Sequence, residues 1–224
     1  LIIVAMTVAM TIPPLQTIPS GAPVRFKNLH MLASISQALP LAIPVGLTLG
    51  VLAGFDGRSV TRRLRGRTLA LSAACALVSL VVLCWIMPAT NQALRAHVTQ
   101  SNGGGDAMKG AHEMWMGELS REIKVAAASG SPGRARDLSF AYHIRWSLPG
   151  GVFALAFFAS SVAKQGLGLR LTLGVVSCGL YWMLLFAGDE FSRENIVPTL
   201  FGAWLPNLAF MGISAGLVSK GGES

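Results

Sequence analysis

Few residues in this chain have the types and spacing that covalent chemistry needs. His112-Glu113 opens like the zinc-protease pattern HExxH, but position 116 is Met116, so the second ligand is absent. Gly212-Ile213-Ser214-Ala215-Gly216 matches GxSxG. That motif works on a strand-to-helix elbow with a histidine in reach. Here it lies inside an apolar run, and His30, His97, His112 and His143 all fall toward the opposite end of such runs. Asp189, Glu190 and Glu194 crowd one segment and read as a solvated acidic loop before a cation site. Cys75, Cys84 and Cys178 sit in apolar runs without metal-ligand spacing. No GxxxxGK[ST] sequence occurs. These residues supply no catalytic site, no metal site and no cofactor site, and any ATP would bind a partner subunit.

The chemistry that remains is that of cations. Phe55–Arg67, FDGRSVTRRLRGR, carries Arg58, Arg62, Arg63, Arg65 and Arg67. Arg25, Lys27 and Arg145 stand beside apolar runs. Guanidinium and ammonium groups bind phosphates through charge-assisted hydrogen bonds. The net charge is +8, yet the basic loop has no interleaved aromatics to stack bases, so the balance does not point to nucleic acid.

The elements that must position these cations are membrane helices. Hydrophobic residues make up 52% and charged residues 12% of the chain, and mean hydropathy is +0.56. A soluble domain carries about 25% charged residues. A bilayer core requires runs of about 20 apolar residues. Met31–Gly54, Thr68–Met87, Trp146–Ala163, Leu171–Ala187 and Ile196–Val218 are such runs. Leu1–Leu15 is shorter, ends at Pro13-Pro14, and reads as the tail of a truncated first span. The expected fold is all-α: a polytopic bundle of six transmembrane helices with a short periplasmic helical segment.

Short Arg-rich loops stay on the cytoplasmic side. The arginine loop therefore faces inward, with Lys164–Arg170 and Lys220, and both termini are expected in the cytoplasm. Three regions follow: residues 1–98 with the first three helices and the basic loop 55–67, residues 99–145 outside, and residues 146–224 with the last three helices. Pro40 and Pro44 should bend the second span, and Pro88 should close the third. Thr17–His30 reads as a polar connection. Within the outer segment, Ala111–Ala128 has helical periodicity, with Trp115, Leu119 and Ile123 four apart on one face. It is expected to lie on the outer membrane surface. Gly46, Gly50 and Gly54 recur every four residues and offer a bare strip for helix packing, with a lipid groove as the alternative. Asn207, polar and deep in the last span, should hydrogen-bond to another helix.

Five ordered stretches carry a family likeness: Ala38–Gly54 (ALPLAIPVGLTLGVLAG), Trp85–Arg95 (WIMPATNQALR), Met116–Ile123 (MGELSREI), His143–Pro149 (HIRWSLP) and Thr199–Asn207 (TLFGAWLPN). Together they resemble the LptF/LptG (YjgP/YjgQ) permeases of the lipopolysaccharide ABC exporter. The family carries a periplasmic β-jellyroll between its third and fourth spans. Thr99–Asp137 is too short for one, so the resemblance is to a short form. The family's inner loop has a coupling glutamate, and Phe55–Arg67 has none.

The resemblance implies a permease subunit in the inner membrane, paired with a second permease subunit as homo- or heterodimer. It implies a cytoplasmic ABC ATPase like LptB and a lipid substrate, lipopolysaccharide, drawn from the membrane and exported. On this reading Arg25, Lys27 and Arg145 are headgroup candidates at the outer rim, or else ordinary interfacial cations. Arg58, Arg62, Arg63 and Arg65 are candidates for contact with the ATPase, or with anionic lipid. The missing jellyroll and glutamate leave a second reading: a degenerate, non-transporting structural or assembly membrane protein.

Overall fold

The computed structural model describes residues 24–54, 62–101 and 110–220, and these are almost wholly helical. The first span at Leu1–Leu15 and Arg58 lie outside the described residues. Seven α-helices follow in order: α1 (Val24–Gly54), α2 (Arg62–Val81), α3 (Met87–Ser101), α4 (Met116–Ala128), α5 (Pro132–Ser161), α6 (Leu167–Arg193) and α7 (Thr199–Lys220). A π turn, Val82–Ile86, joins α2 to α3, and a 3-10 turn, Ala111–Glu113, precedes α4.

Three stretches are long and apolar enough to cross a membrane: Ala70–Ala96, Leu167–Arg193 and Thr199–Ser219. A fourth forms if Lys27–Pro40 and Ala42–Ala53, bent by 49°, make one span. The bend falls at Pro40 and Pro44, where the ring removes a backbone donor and crowds the preceding turn. The described residues therefore give three or four crossings, fewer than the six expected. α5 is not among them. Its N-terminal half carries Arg134, Arg136, Asp137, His143 and Arg145, and much of its apolar surface is spent on protein.

α5 is the hub, in contact with α1, α2, α4, α6 and α7. Leu148, Leu155 and Phe158 of α5 join Leu52, Leu83, Tyr181, Leu185 and Phe210 in the main core. Phe158 and Phe210 meet edge to face, with ring centroids 5.3 Å apart. Between α6 and α7 the backbones themselves touch. A Cβ added at Gly188 would strike the carbonyl of Gly202, and one at Gly202 would strike that of Gly188. Lipid gives helices little hydrophobic reason to associate, so such close approach through small residues does the work. The outer faces of α6 and α7 stay apolar and exposed, with Val175, Met183, Phe186, Phe201 and Met211 among them.

Several boundaries differ from the sequence expectation. α1 begins at Val24, so Arg25 and Lys27 sit in its first turn and not in a connection. Nothing in VRFKNLH after Pro23 breaks a helix. Pro88 does not close the third span. The π turn carries the Met87 N–H to the carbonyl of Val82. That wider turn stands directly before Pro88, where a regular α-turn would set the ring against the carbonyl four residues back. The helix then runs on to Ser101. Arg62, Arg63 and Arg65 open α2 and do not lie in a loop. Gly188–Arg193, expected in an outer loop, forms the last turns of α6. Arg170, expected in an inner turn, is buried inside the same helix.

Candidate functional site

Arg145 is the largest fully buried side chain of the described residues, 1% exposed. Its Nη1 donates to the carbonyl of Met114 at 2.9 Å and its Nη2 to the carbonyl of Ala111 at 2.8 Å. A guanidinium's fork of donors suits this two-carbonyl grip. Opposite, on α3, Gln92 Nε2 donates to the carbonyl of Glu113 at 2.6 Å. Arg95 Nη1 pairs with Glu113 Oε2 at 2.8 Å. The same carboxylate oxygen accepts the Gly110 N–H at 3.2 Å. The 3-10 turn is thus held from two sides, by α3 and by α5.

This corrects the reading of Arg145 as a headgroup ligand at the outer rim. The side chain is withdrawn from solvent and its donors end on backbone carbonyls. The expected helix of residues 111–128 is corrected too. It is a 3-10 turn followed by α4, and much of its apolar face packs on α5. Met114, Leu119 and Ala126 pack against Leu138 of α5, with Ile123, Ala135 and Tyr142 at the edge. The reason is the length of α5, whose first turns extend past the apolar run and offer their own stripe.

In front of this clamp lies a groove of about 330 Å³. Leu80, Cys84 and Trp85 line one wall, Trp115, Met116 and Gly117 a second, and Trp146 a third. The three indoles come from the π turn, the start of α4 and α5. The lining offers an apolar ligand a place.

The remaining sequence candidates are spread through the fold. Lys27 is partly buried in the first turn of α1. Gly46 is buried. Gly50 is exposed, and a Cβ there would meet nothing within 4 Å. Among the described residues, Gly46 and Gly50 therefore do not share one packing face. α1 turns Ile43 and Leu47 into the core beside Ala76, Val152 and Ala156 instead. Asn207 takes a hydrogen bond on Oδ1 from Tyr181 Oη at 2.9 Å and gives one from Nδ2 to the Ser147 carbonyl at 2.8 Å. It joins α5, α6 and α7. Ser214 of the GxSxG match is buried and donates to the Phe210 carbonyl at 2.6 Å, within its own helix. Among the described residues no group of His, Cys, Asp or Glu could hold a metal. Asp189 pairs with Arg193 at 3.2 Å, and Arg193 lies 3.7 Å from Asp137 of α5.

Sequence reasoning missed a polar seam between α1 and α3. Ser36 and Thr90 hydroxyls lie 3.1 Å apart, and Gln37 Nε2 donates to Asn91 Oδ1 at 3.1 Å. The signal was present: Asn91 and Gln92 follow an apolar run on a helix that Pro88 does not end.

A family model described as lipopolysaccharide export system permease LptF/LptG matches residues 100–220. No curated protein matches the chain.

Proposed function

Because the chain belongs to the LptF/LptG family of lipopolysaccharide export permeases, we propose that it is the membrane subunit of an exporter that extracts lipopolysaccharide from the inner membrane. The observation that carries this reading is the match over residues 100–220, which overlies the clamped turn and all of α4 to α7. The apolar helices that accompany it support an integral membrane protein.

On this reading the subunit performs no covalent step. A cytoplasmic ABC ATPase, similar to LptB, hydrolyses ATP, and the permease converts its closure into movement of lipid. A second permease copy, identical or a sister, completes the cavity. The arginines from Arg58 to Arg67 face the cytoplasm, because Lys/Arg clusters beside the end of a span stay on that side, and meet the ATPase there. Both termini lie on that side. Arg25 and Lys27 attract headgroup phosphates on this reading. Arg145 instead fixes the segment between the third and fourth helices.

The test is copurification of the tagged chain from its native membrane, followed by reconstitution. The expected result is a bound ABC ATPase whose hydrolysis rises when lipopolysaccharide is added to the proteoliposomes. A chain that copurifies with no ATPase, or whose ATPase ignores lipopolysaccharide, would instead be the non-transporting structural protein. Cysteine-accessibility mapping checks the orientation, with a cysteine at position 62 labelled only from the cytoplasmic side.

A further inference from the structure

The groove between the π turn, α4 and α5 has features of a site for a lipid that stays. Its lining residues are Leu80, Cys84, Trp85, Trp115, Met116, Gly117 and Trp146, and none of them is charged. Its three indoles are open to the surroundings, with Trp85 56%, Trp146 45% and Trp115 37% exposed. Indoles concentrate where headgroups meet acyl chains, so the groove sits at the depth where a chain enters hydrocarbon. Ligand pockets run from about 300 to 1,000 Å³. At about 330 Å³ this one holds part of a single acyl chain and is too small for several.

Cations stand near the groove beside acids that have other partners. Arg145 lies behind the groove, buried, with no carboxylate paired to it among the described residues. On α4, Arg121 and Lys124 follow Gly117 at four and seven positions, and so share its face. Both are exposed, and among the described residues neither has a carboxylate in salt-bridge range. The acids of α4 are engaged elsewhere. Glu118 accepts the Trp115 N–H at 3.3 Å, and Glu122 lies 3.9 Å from Arg134.

We propose that this groove binds one anionic phospholipid of the surrounding bilayer, with an acyl chain against Trp85, Trp115 and Trp146 and the headgroup phosphate at Arg121 and Lys124. The lipid is a resident ligand, distinct from the exported one, and it fastens α4 to the span formed by α2 and α3. The idea requires only that the chain is in a membrane and stands apart from the transport reading.

Gly117 provides the blocking substitution, because its Cβ position is open for 4 Å. Gly117→Phe extends a ring from that open position into the groove. The full chain, with whatever copurifies, is placed in nanodiscs of mixed phosphatidylglycerol and phosphatidylcholine, and retained lipids are counted by native mass spectrometry. The expected result is one more phosphatidylglycerol on the wild type than on Gly117→Phe. A basic residue near anionic lipid is worth about fivefold in affinity, so Arg121→Gln or Lys124→Gln should lower the preference over phosphatidylcholine by about that factor. Brominated-chain phosphatidylglycerol should quench tryptophan fluorescence more in the wild type than in Gly117→Phe. Equal lipid counts in wild type and Gly117→Phe overturn the proposal. So does equal retention of the two lipids, or efficient cross-linking of Gly117→Cys to another polypeptide, which would give the groove to a protein.

Discussion

Arg145 and Met114 are 31 positions apart, and the guanidinium of one closes on the carbonyl of the other at 2.9 Å. A charge that could have faced a phosphate is used to hold a turn. In the low-dielectric interior that bond is stronger than in water, and leaving its carbonyl unpaired is correspondingly costly.

Arg145→Met should therefore destabilise the protein by about 3–6 kcal/mol, the loss of two charge-assisted hydrogen bonds. Arg145→Lys keeps the charge but lacks the planar fork, and should recover only part of the loss. Thermal unfolding in detergent measures the first effect. Trypsin cleavage at Arg121 and Lys124 of α4 should accelerate in both variants, because the segment loses its anchor on α5.

The contact of Gly188 with Gly202 should tolerate no side chain. Gly188→Ala or Gly202→Ala must push α6 and α7 apart, at a cost of about 1–3 kcal/mol or more. Gly50→Ala is the matched control, since its Cβ meets open space. It should change stability by less than about 1 kcal/mol, toward greater stability, since alanine is the better helix former. Melting temperatures of the three variants, measured side by side, decide the point.

Tyr181→Phe removes the hydroxyl that serves Asn207. Hydrogen bonds between membrane helices average about 0.6 kcal/mol, so the cost should be about 1 kcal/mol. Asn207→Leu should cost more, because it abandons both the Tyr181 hydroxyl and the Ser147 carbonyl. A double-mutant cycle on the two positions should show coupling, and strict additivity would mean the bond contributes nothing.

His143 stands on α5 just before the apolar run, and burial lowers its pKa below the ordinary histidine value of 6.5. The folded state holds it neutral while the unfolded chain accepts a proton first. Stability should thus be unaffected above about pH 6.5 and decline as pH falls through the window below it. His143→Gln should flatten that slope in melts taken between pH 7.5 and 5. An unchanged slope would assign it to another group.

The apolar runs determined a helical membrane protein by themselves, because no soluble surface could be built from so few charges. Pro40 and Pro44 announced the bend in α1, and Asn207 announced a polar contact, since an amide in hydrocarbon requires a partner. The family was legible too, and three of the ordered stretches, Met116–Ile123, His143–Pro149 and Thr199–Asn207, lie within the match over residues 100–220. Sequence alone did not decide which way Arg145 would turn. A cation beside an apolar run reads the same whether it reaches for water or for a carbonyl. Its direction was set by Ala111 and Met114, over 30 positions away. Pro88 read as a stop because proline breaks an α-turn, and the π turn that admits it shows only in the backbone. Gly50 and Gly188 are both glycines in apolar helices, yet only Gly188 meets another backbone. Composition and periodicity are properties of one segment, while burial is a property of the neighbours it meets, and those neighbours exist only once the chain has folded.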